Sequence, residues 1–306
     1  MTAELEYAGT GRVLRGTAAD LQVTCTLDGA LTTPTGTLTY SVADRFSGDV
    51  IASGTPSTPS KGVLSAALTP TQTALVRQCV VTWAGLVFDG GAPLEFTTPA
   101  EIVGQWLFTL REAREFASQG KKVFADLSVY TDAEILAGRD RVTAAFESIL
   151  NFPVGLQYRE HVVDGDADQP LWLDAGHVGA IRHVTAFNQG YSWVAFDETA
   201  LGKLVASPGG KIYSPYAWPF YAGNRNVRIG VEQGIDPIPA DLRGAALIAL
   251  HDTTTQNDFG RRAMSVANQL GNITLSTANR NPNSPTGIPD VDAVLVRYRR
   301  VKVAIS

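Results

Sequence analysis

A run of alternating carboxylates at Asp164, Asp166 and Asp168 is a pattern that could bind a metal. Carboxylates with this spacing bind Ca²⁺ in an EF-hand loop. That loop also needs glycine at its sixth position and glutamate at its twelfth, where this chain has Gln169 and Ala175. The departure favours a polar hairpin turn over a calcium site, so we expect no metal here.

The remaining chemistry-bearing residues lack the spacing of a catalytic site. No two histidines are four residues apart on a predicted helix, and no cysteine lies near one. His183 falls in an apolar predicted strand, which favours a satisfied core or interface side chain over a ligand. Residues 207–211 (Ser-Pro-Gly-Gly-Lys) are too short for a phosphate loop, and the chain has no Gly-x-Ser-x-Gly nucleophile motif. We therefore predict no catalytic residues, no cofactor and no enzymatic activity.

Charge is distributed unevenly along the 306 residues. Residues 1–103 hold nine acids and five bases, residues 104–296 hold 21 acids and 16 bases, and residues 297–306 hold four bases and no acid. An acidic body argues against tight nucleic-acid binding, which needs many bases to neutralise phosphates. It is compatible with DNA that slides past without being held.

The composition indicates a folded protein of the reducing cytoplasm. Hydrophobic residues make up 44% and charged residues 18% of the chain, which excludes a disordered chain. No apolar run is long enough to span a membrane, and the N-terminus does not resemble a secretory signal. In this compartment Cys25 and Cys79 are expected to be half-buried thiols in strands, with a disulfide as the alternative.

Residues 1–100 are predicted to form a β-sandwich. Apolar-alternating runs of strand length, separated by Gly, Pro and Ser, occur at 21–27, 36–42, 62–68 and 76–83. The 54-residue separation of the two cysteines is similar to that of strands B and F in an immunoglobulin-like domain, although no tryptophan follows Cys25 at the strand C position. The interpretation is an Ig-like architecture that ends near Pro99.

The second half of the chain is predicted to be helical with a β insertion. We expect helices at about 110–118, 132–151, 239–256, 261–270 and 290–299. The second of these helices starts with a capping box at Thr131 and Glu134. Residues 154–233 switch to strand periodicity, with turns between apolar runs. The fold class is therefore α+β with two domains: the sandwich at 1–100, and a small helical bundle with an inserted β-hairpin or β-region at 101–306.

Four stretches of the second half occur in a familiar order. They are 109–116 (Thr-Leu-Arg-Glu-Ala-Arg-Glu-Phe), 130–142, 230–246 and 285–294 (Pro-Thr-Gly-Ile-Pro-Asp-Val-Asp-Ala-Val). By this order and spacing, residues 104–306 resemble the head–tail adaptor (head–tail connector) proteins of long-tailed phages. The N-terminal β-module is a departure, because smaller adaptors lack it.

The resemblance implies a structural role in the virion. Members of this family form a twelvefold ring under the portal, and their C-terminal segments reach into the portal. Their other face meets the stopper or tail-completion protein. We therefore expect a ring-forming neck protein, made in the host bacterial cytoplasm and located at the head–tail interface of the virion, through which DNA passes without specific binding.

Two groups of residues are candidates for contacts with partners. The segment 297–306 is predicted to be a portal-docking arm that carries Arg297, Tyr298, Arg299, Arg300 and Lys302, and the alternative is that its cations only complement a helix dipole. A second group is aromatic and suits either a subunit interface or a core: Trp172, Trp193, Tyr216 and Trp218, with Tyr191 and Tyr221 nearby in sequence.

Two other functions remain open at this stage. In the first, the Ig-like domain is a binding or decoration module on the virion and the rest is a scaffold. In the second, the chain is a virion hydrolase with an accessory domain, against which the missing nucleophile, metal and acid–base motifs count.

Overall fold

The computed structural model describes residues 2–7, 11–118, 120–166, 170–187, 192–214, 220–255, 265–268, 271–274 and 285–299. It is a mixed α+β protein. Its contacts divide the chain into two compact units. The β unit comprises Met1–Gln105 and Gly155–Asp236, and the helical unit comprises Trp106–Val154 and Pro237–Ser306.

The first part of the β unit consists of two sheets. One has the order β1-β3-β4 with β7 also paired to β3, and the other has the order β2-β9-β8-β5-β6. The strands are β1 (Ala3–Tyr7), β2 (Arg12–Leu14), β3 (Ala19–Leu27), β4 (Ala30–Leu31), β5 (Thr39–Asp44), β6 (Val50–Gly54), β7 (Val63–Leu68), β8 (Arg77–Leu86) and β9 (Leu94–Val103).

Side chains from both sheets form one buried hydrophobic cluster, as alternating strands require. Trp83 is fully buried in it, and its indole Nε1 donates to the Thr98 hydroxyl at 3.0 Å. Cys25 and Cys79 lie in the same cluster as free thiols, more deeply buried than expected. Burial raises the pKa of Cys25 to about 11 and that of Cys79 to about 12, so both stay protonated at neutral pH.

The predicted insertion forms the second part of the β unit. A four-stranded sheet has the order β12-β18-β14-β15, and a three-stranded sheet has the order β13-β17-β16. A second hydrophobic cluster lies among these strands. Their bounds are β12 (Gln157–Gly165), β13 (Leu171–Trp172), β14 (Val178–Phe187), β15 (Trp193–Ala195), β16 (Val205–Ala206), β17 (Lys211–Tyr213) and β18 (Gly223–Gln233), with the short helix α3 (Glu198–Leu201) after β15.

The two parts of the β unit touch through a third, small core. Val76 directly precedes β8 in the first sheet pair, Leu156 and Tyr158 belong to the insertion, and Phe46 packs against them. The Phe46 and Tyr158 rings meet edge to face at 5.0 Å. Strand β9 continues to Val103 and so crosses the predicted boundary at residue 100.

The helical unit contains α1 (Leu110–Glu115), α2 (Asp132–Leu150), α4 (Ala240–Thr255) and α5 (Pro289–Tyr298), with the hairpins β10–β11 (Ala117–Ser118, Lys121–Lys122) and β19–β20 (Ser265–Asn268, Gly271–Thr274). Helix α2 begins as predicted, with Thr131 and Glu134 forming both hydrogen bonds of a capping box. It ends at Asn151, which takes a left-handed conformation (φ 60°).

Two helix predictions are wrong in part. The helix predicted at 110–118 ends at Glu115, because Phe116 is extended and the chain turns back at Gly120, whose φ of 77° suits glycine. The helix predicted at 261–270 is a strand over Ser265–Asn268, paired in register with Gly271–Thr274. Residues 265–268 therefore form a paired strand, although the apolar residues around them have helical spacing. The other residues of the predicted helix, 261–264 and 269–270, lie outside the described residues.

Candidate functional site

The predicted arm starts on a helix that is held in place by its neighbours. Val291 and Leu295 on α5 are fully buried in the helical unit. Arg299 caps the helix, its backbone N–H donating to the Leu295 carbonyl at 2.9 Å. Arg297, Tyr298 and Arg299 are therefore part of the folded unit or its edge, while Arg300 and Lys302 lie outside the described residues.

One carboxylate at the start of α4 anchors the end of α5. Asp241 Oδ1 accepts a hydrogen bond from the Tyr298 hydroxyl at 2.9 Å, and its Oδ2 pairs with Arg297 Nη2 at 3.2 Å. Partial burial and this contact with a carboxylate raise the pKa of Tyr298. No local sequence signal predicts this anchor, since 57 residues separate Asp241 from Tyr298.

A buried carboxylate also fixes the turn that leads into α5. Asp292 is 4% exposed, and its Oδ1 accepts from the Thr286 backbone N–H at 2.9 Å and the Thr286 hydroxyl at 2.7 Å. Its Oδ2 accepts from the Gly287 N–H at 3.1 Å. The stretch 285–294 therefore forms a hydrogen-bonded turn and helix start, a role that the sequence analysis did not assign to Asp292.

An ion pair joins α1 to α4, and its carboxylate belongs to Glu112, which also caps the start of α1. Glu112 closes a capping box with Thr109, and its second oxygen accepts from Arg243 Nη1 at 2.9 Å. Burial acts to raise the pKa of Glu112, but the hydrogen bonds from Thr109 and Arg243 outweigh it and hold the pKa below its ordinary value. The stretch 109–116 thus joins two helices that are distant in sequence.

Arg114 on the same helix holds the loop between α1 and α2. Its guanidinium donates to the carbonyls of Phe124 and Tyr130 and pairs with Asp132 at the start of α2. Guanidinium groups suit this role because they carry five donors in a planar fork. The end of α1 is thereby joined to the start of α2.

Trp172 is exposed on the three-stranded sheet. Its neighbours on β13 and β17, Leu171 and Ile212, are buried, while Trp172 itself is 55% exposed. Lys211 lies beside it, with Nζ 5.7 Å from the Trp172 ring centroid and 5.7 Å from that of Tyr213. This outer face combines two aromatic rings and a cation, a composition typical of interfaces.

Trp193 lies on β15, at the edge of the four-stranded sheet. It is 41% exposed, with the Arg228 guanidinium 4.4 Å above its ring and Phe187 at 5.6 Å. Trp172 and Trp193 therefore belong to the surface rather than to a core. They lie on different sheets, and Tyr216 and Trp218 lie outside the described residues.

The histidines take part in local structure. His161 Nε2 lies 3.0 Å from Gln233 Oε1, and the His251 ring packs 6.3 Å from that of Phe116. Asp164, near the end of β12, accepts from the Arg225 backbone N–H at 2.7 Å. Within the described residues, no group of three His, Cys, Asp or Glu is arranged to hold a metal ion. No helix in that part of the chain is both long and apolar enough to cross a membrane.

Comparison with known proteins gives distant structural similarities. No protein-family profile matches the chain, and no curated relative was found. A chain from the "Neck of empty GTA particle computed with C6 symmetry" aligns at 16% identity over 65% of this chain and 93% of its own, with a TM-score of 0.44. A chain from the "Neck of native GTA particle computed with C12 symmetry" aligns at 15% identity over 57% and 86%, with a TM-score of 0.39.

A third alignment is with a chain from the "Virion of native gene transfer agent (GTA) particle", at 16% identity over 65% of this chain and 93% of that one, with a TM-score of 0.43. All three TM-scores are below 0.5, so these alignments establish neither the fold nor the function of this chain.

Proposed function

We propose that this chain is a structural protein of a virion neck, where it forms a ring that connects the portal to the tail or stopper. The observation that carries the proposal is the convergence of four distant stretches in one helical unit. Residues 109–116 contain α1, 130–142 begin α2, the part of 230–246 from residue 237 onward leads into α4, and 285–294 lead into α5, whereas residues 230–236 belong to the β unit. The resemblance to head–tail adaptors is based on the same four stretches. The Glu112–Arg243 ion pair, the Asp241–Tyr298 hydrogen bond and the Asp292 turn connect parts of these stretches and the helices that follow them.

The mechanism of such a protein is mechanical. A ring subunit has to keep its helices in fixed positions while force passes between head and tail. The contacts Glu112–Arg243 and Asp241–Tyr298 join helices that are far apart in sequence and so resist their separation. Residues with these roles do not act on a substrate, and we propose that the protein is not an enzyme.

The C-terminal segment is the proposed contact with the portal. Helix α5 ends at Tyr298, and residues 300–306 follow with the sequence Arg-Val-Lys-Val-Ala-Ile-Ser. Two cations and alternating apolar residues could pair with acidic groups and add a strand to an exposed sheet edge. Arg297 and Tyr298 would then anchor the arm to its own subunit, and Arg300 and Lys302 would contact the portal.

The exposed aromatic faces are proposed contacts between subunits. Trp172 and Trp193 present large rings at the surface of the β unit, and tryptophan contributes strongly to binding energy in interfaces. We extend this role to Tyr216 and Trp218 from their sequence position. The proposed assembly is a ring of twelve copies in the virion, made in the host cytoplasm, with DNA passing through an acidic protein that does not bind it specifically.

Portal-dependent assembly tests the proposal. The pure protein should be monomeric or a mixture of weak oligomers in light scattering, because a neck ring must not close before a filled head is present. Addition of purified portal should give a uniform complex of both proteins. A stable uniform ring without portal, or no association with portal, would contradict the proposal.

A role as a decoration module is the second candidate. It is favoured by one observation, the separate hydrophobic cluster of the first sheet pair, which would allow residues 1–105 to act as a binding domain. A decoration protein would be found on the capsid or tail surface, whereas the proposed neck protein would occur only between them. Electron microscopy of particles separates the two.

A further inference from the structure

The β unit carries a cationic cavity on the outer face of its five-stranded sheet. In the sheet register Arg12 pairs with Glu101, Glu101 pairs with Gln78, and the Arg45 N–H donates to the Gln78 carbonyl at 2.9 Å. These four residues therefore form one row across the strands. Because side chains alternate between the faces of a strand, the row points away from the buried cluster that holds Cys79.

Arg159, in the insertion strand β12, completes the cavity. Its guanidinium pairs with Glu101 and also donates to the Gln157 side chain. Glu101 in turn accepts from Arg12 Nε at 3.0 Å, so one carboxylate serves two guanidinium groups. The side chains of Arg12, Glu101 and Arg159 are 21%, 13% and 26% exposed, which places these charges partly out of water.

The charged side chains that line the cavity have a net positive charge. The cavity measures about 270 Å³, and three arginines and one glutamate are the charged residues that line it. Arg45 is exposed and makes no ion pair with any residue that the structure describes. The lining therefore has a net charge of about +2 in a protein whose net charge is −5. Arg12 and Arg159 are partly shielded from water, and together with the exposed Arg45 they outnumber the single carboxylate that lines the cavity, which favours binding of an anion there.

We propose that this cavity, lined by Arg12, Arg45 and Arg159, binds a phosphate group that carries two negative charges, as inorganic phosphate or as a phosphate monoester. Guanidinium groups bind tetrahedral oxyanions through paired N–H donors, and such charge-assisted bonds are among the strongest in proteins. A phosphate monoester carries a charge of about −1.5 to −2 at pH 7, which matches the lining. A carboxylate or a DNA phosphodiester brings only one charge per group.

The site would have a structural consequence. Arg12 and Arg45 belong to the first sheet pair and Arg159 to the insertion, so a bound phosphate would join the two parts of the β unit beside the Phe46–Tyr158 contact. Binding to the folded state raises stability by an amount that grows with ligand concentration. The proposal does not depend on the neck function.

Titration calorimetry of the full-length protein with inorganic phosphate at constant ionic strength tests the site. We expect one saturable site with a Kd of about 1 mM or tighter, which Arg45→Ala weakens at least about tenfold. Lys61→Ala removes the same charge from an exposed position of the same sheet pair and should leave the Kd unchanged. Circular dichroism checks that both variants are folded.

Further ligands separate the sources of the anion. Phenyl phosphate should bind like inorganic phosphate, whereas acetate and a blunt DNA duplex without terminal phosphates should show no heat that depends on Arg45. The proposal is overturned if phosphate gives no saturable binding or if Arg45→Ala and Lys61→Ala bind it equally well. It is also overturned if acetate or the duplex binds as tightly through Arg45, which would indicate an acidic protein partner or the DNA backbone.

Discussion

At the scale of single residues, buried or half-buried carboxylates control the joints of the helical unit. Glu112 accepts from the Thr109 N–H at the start of α1, and Asp241 accepts from the Leu242 N–H at the start of α4, where N–H groups lack partners within the helix. Asp292 accepts from the N–H groups of the turn that leads into α5. The capping boxes were predictable, because their partners are three residues apart. The contacts of Asp241 with α5 were not, because they require the tertiary fold.

Replacement of Asp292 by Asn should destabilise the helical unit. The variant loses the charge that accepts from Thr286 and Gly287, and its amide group directs N–H donors at other donors. We expect a loss of about 2 to 3 kcal/mol in the free energy of unfolding, measured by urea denaturation followed by circular dichroism. Asp290→Asn, at an exposed position two residues earlier, is the control and should cost less than about 0.5 kcal/mol. Equal losses in the two variants would show that the turn does not depend on Asp292.

Glu112 predicts a dependence of stability on pH. Its pKa in the folded protein lies below its ordinary value of 4.5, so the ionised group stabilises the fold above that pH. This contribution is lost as the pH falls through the folded pKa. Glu112→Gln should cost about 1 kcal/mol at pH 7 and should lose less stability on acidification than the unchanged protein.

Thermal unfolding at several pH values between about 3 and 7 measures this difference. Glu115→Gln is the matched control, since Glu115 is exposed and pairs only with Arg111 one turn earlier among the described residues. The control should follow the unchanged protein at every pH. If Glu112→Gln also does so, the contact with Arg243 makes no pH-dependent contribution.

At the scale of elements, strong local signals gave correct predictions and weak ones did not. Helices α2 and α4 were located to within about two residues, because a capping box, a proline near the helix start and a repeating apolar face agree there. The segment around 265–274 was predicted to be helical from its apolar spacing and the glycine at 271. Its residues 265–268 pair instead with Gly271–Thr274, at separations of three to nine residues. The spacing of apolar residues alone cannot distinguish a helix from a strand in such a short segment.

The end of α5 divides the proposed arm into two parts with different roles. Deletion of residues 300–306 should leave the thermal midpoint of the protein unchanged, because α5 and its contacts with Asp241 remain. Deletion of 297–306 removes both contacts and should lower the stability by about 1 to 2 kcal/mol. Differential scanning calorimetry measures this difference.

Both truncated proteins should fail to bind portal in a pull-down, since both lack Arg300 and Lys302. The matched control is a protein in which Lys121 and Lys122 are replaced by alanine, which removes two exposed charges from the β10–β11 hairpin of the helical unit. It should bind portal normally. Binding by the protein without 300–306 would show that the arm is not the portal contact.

At the scale of the whole molecule, β and α regions can be distinguished from the sequence, whereas the grouping of these regions into compact units depends on tertiary contacts. The predicted division at residue 100 follows the change in composition near Pro99. The structure groups Met1–Gln105 with Gly155–Asp236. Arg159 and Tyr158, which make this connection, carry no local signal for it, because contacts between distant segments are set by the tertiary fold. The autonomy of the first hundred residues therefore stays a prediction.

Separate expression of the parts tests that prediction. A fragment of residues 1–105 keeps β9 whole and retains the complete first hydrophobic cluster, so we expect a cooperative thermal transition with a β-type circular dichroism spectrum. A fragment of 101–306 exposes Leu156 and Tyr158 and should be less stable than the full-length protein by about 2 to 4 kcal/mol. A fragment 1–105 that shows no cooperative transition would mean that the two parts of the β unit fold only together.

The most direct test of the central claim is a cryo-electron microscopy reconstruction of the virus particle neck. The account predicts a ring of this protein, coaxial with the portal and in contact with it through residues 300–306, with DNA or an open channel along the axis. Removal of the gene should give filled heads without tails. A particle in which this protein lies only on the capsid or tail surface, or is absent from a complete neck, would contradict the account.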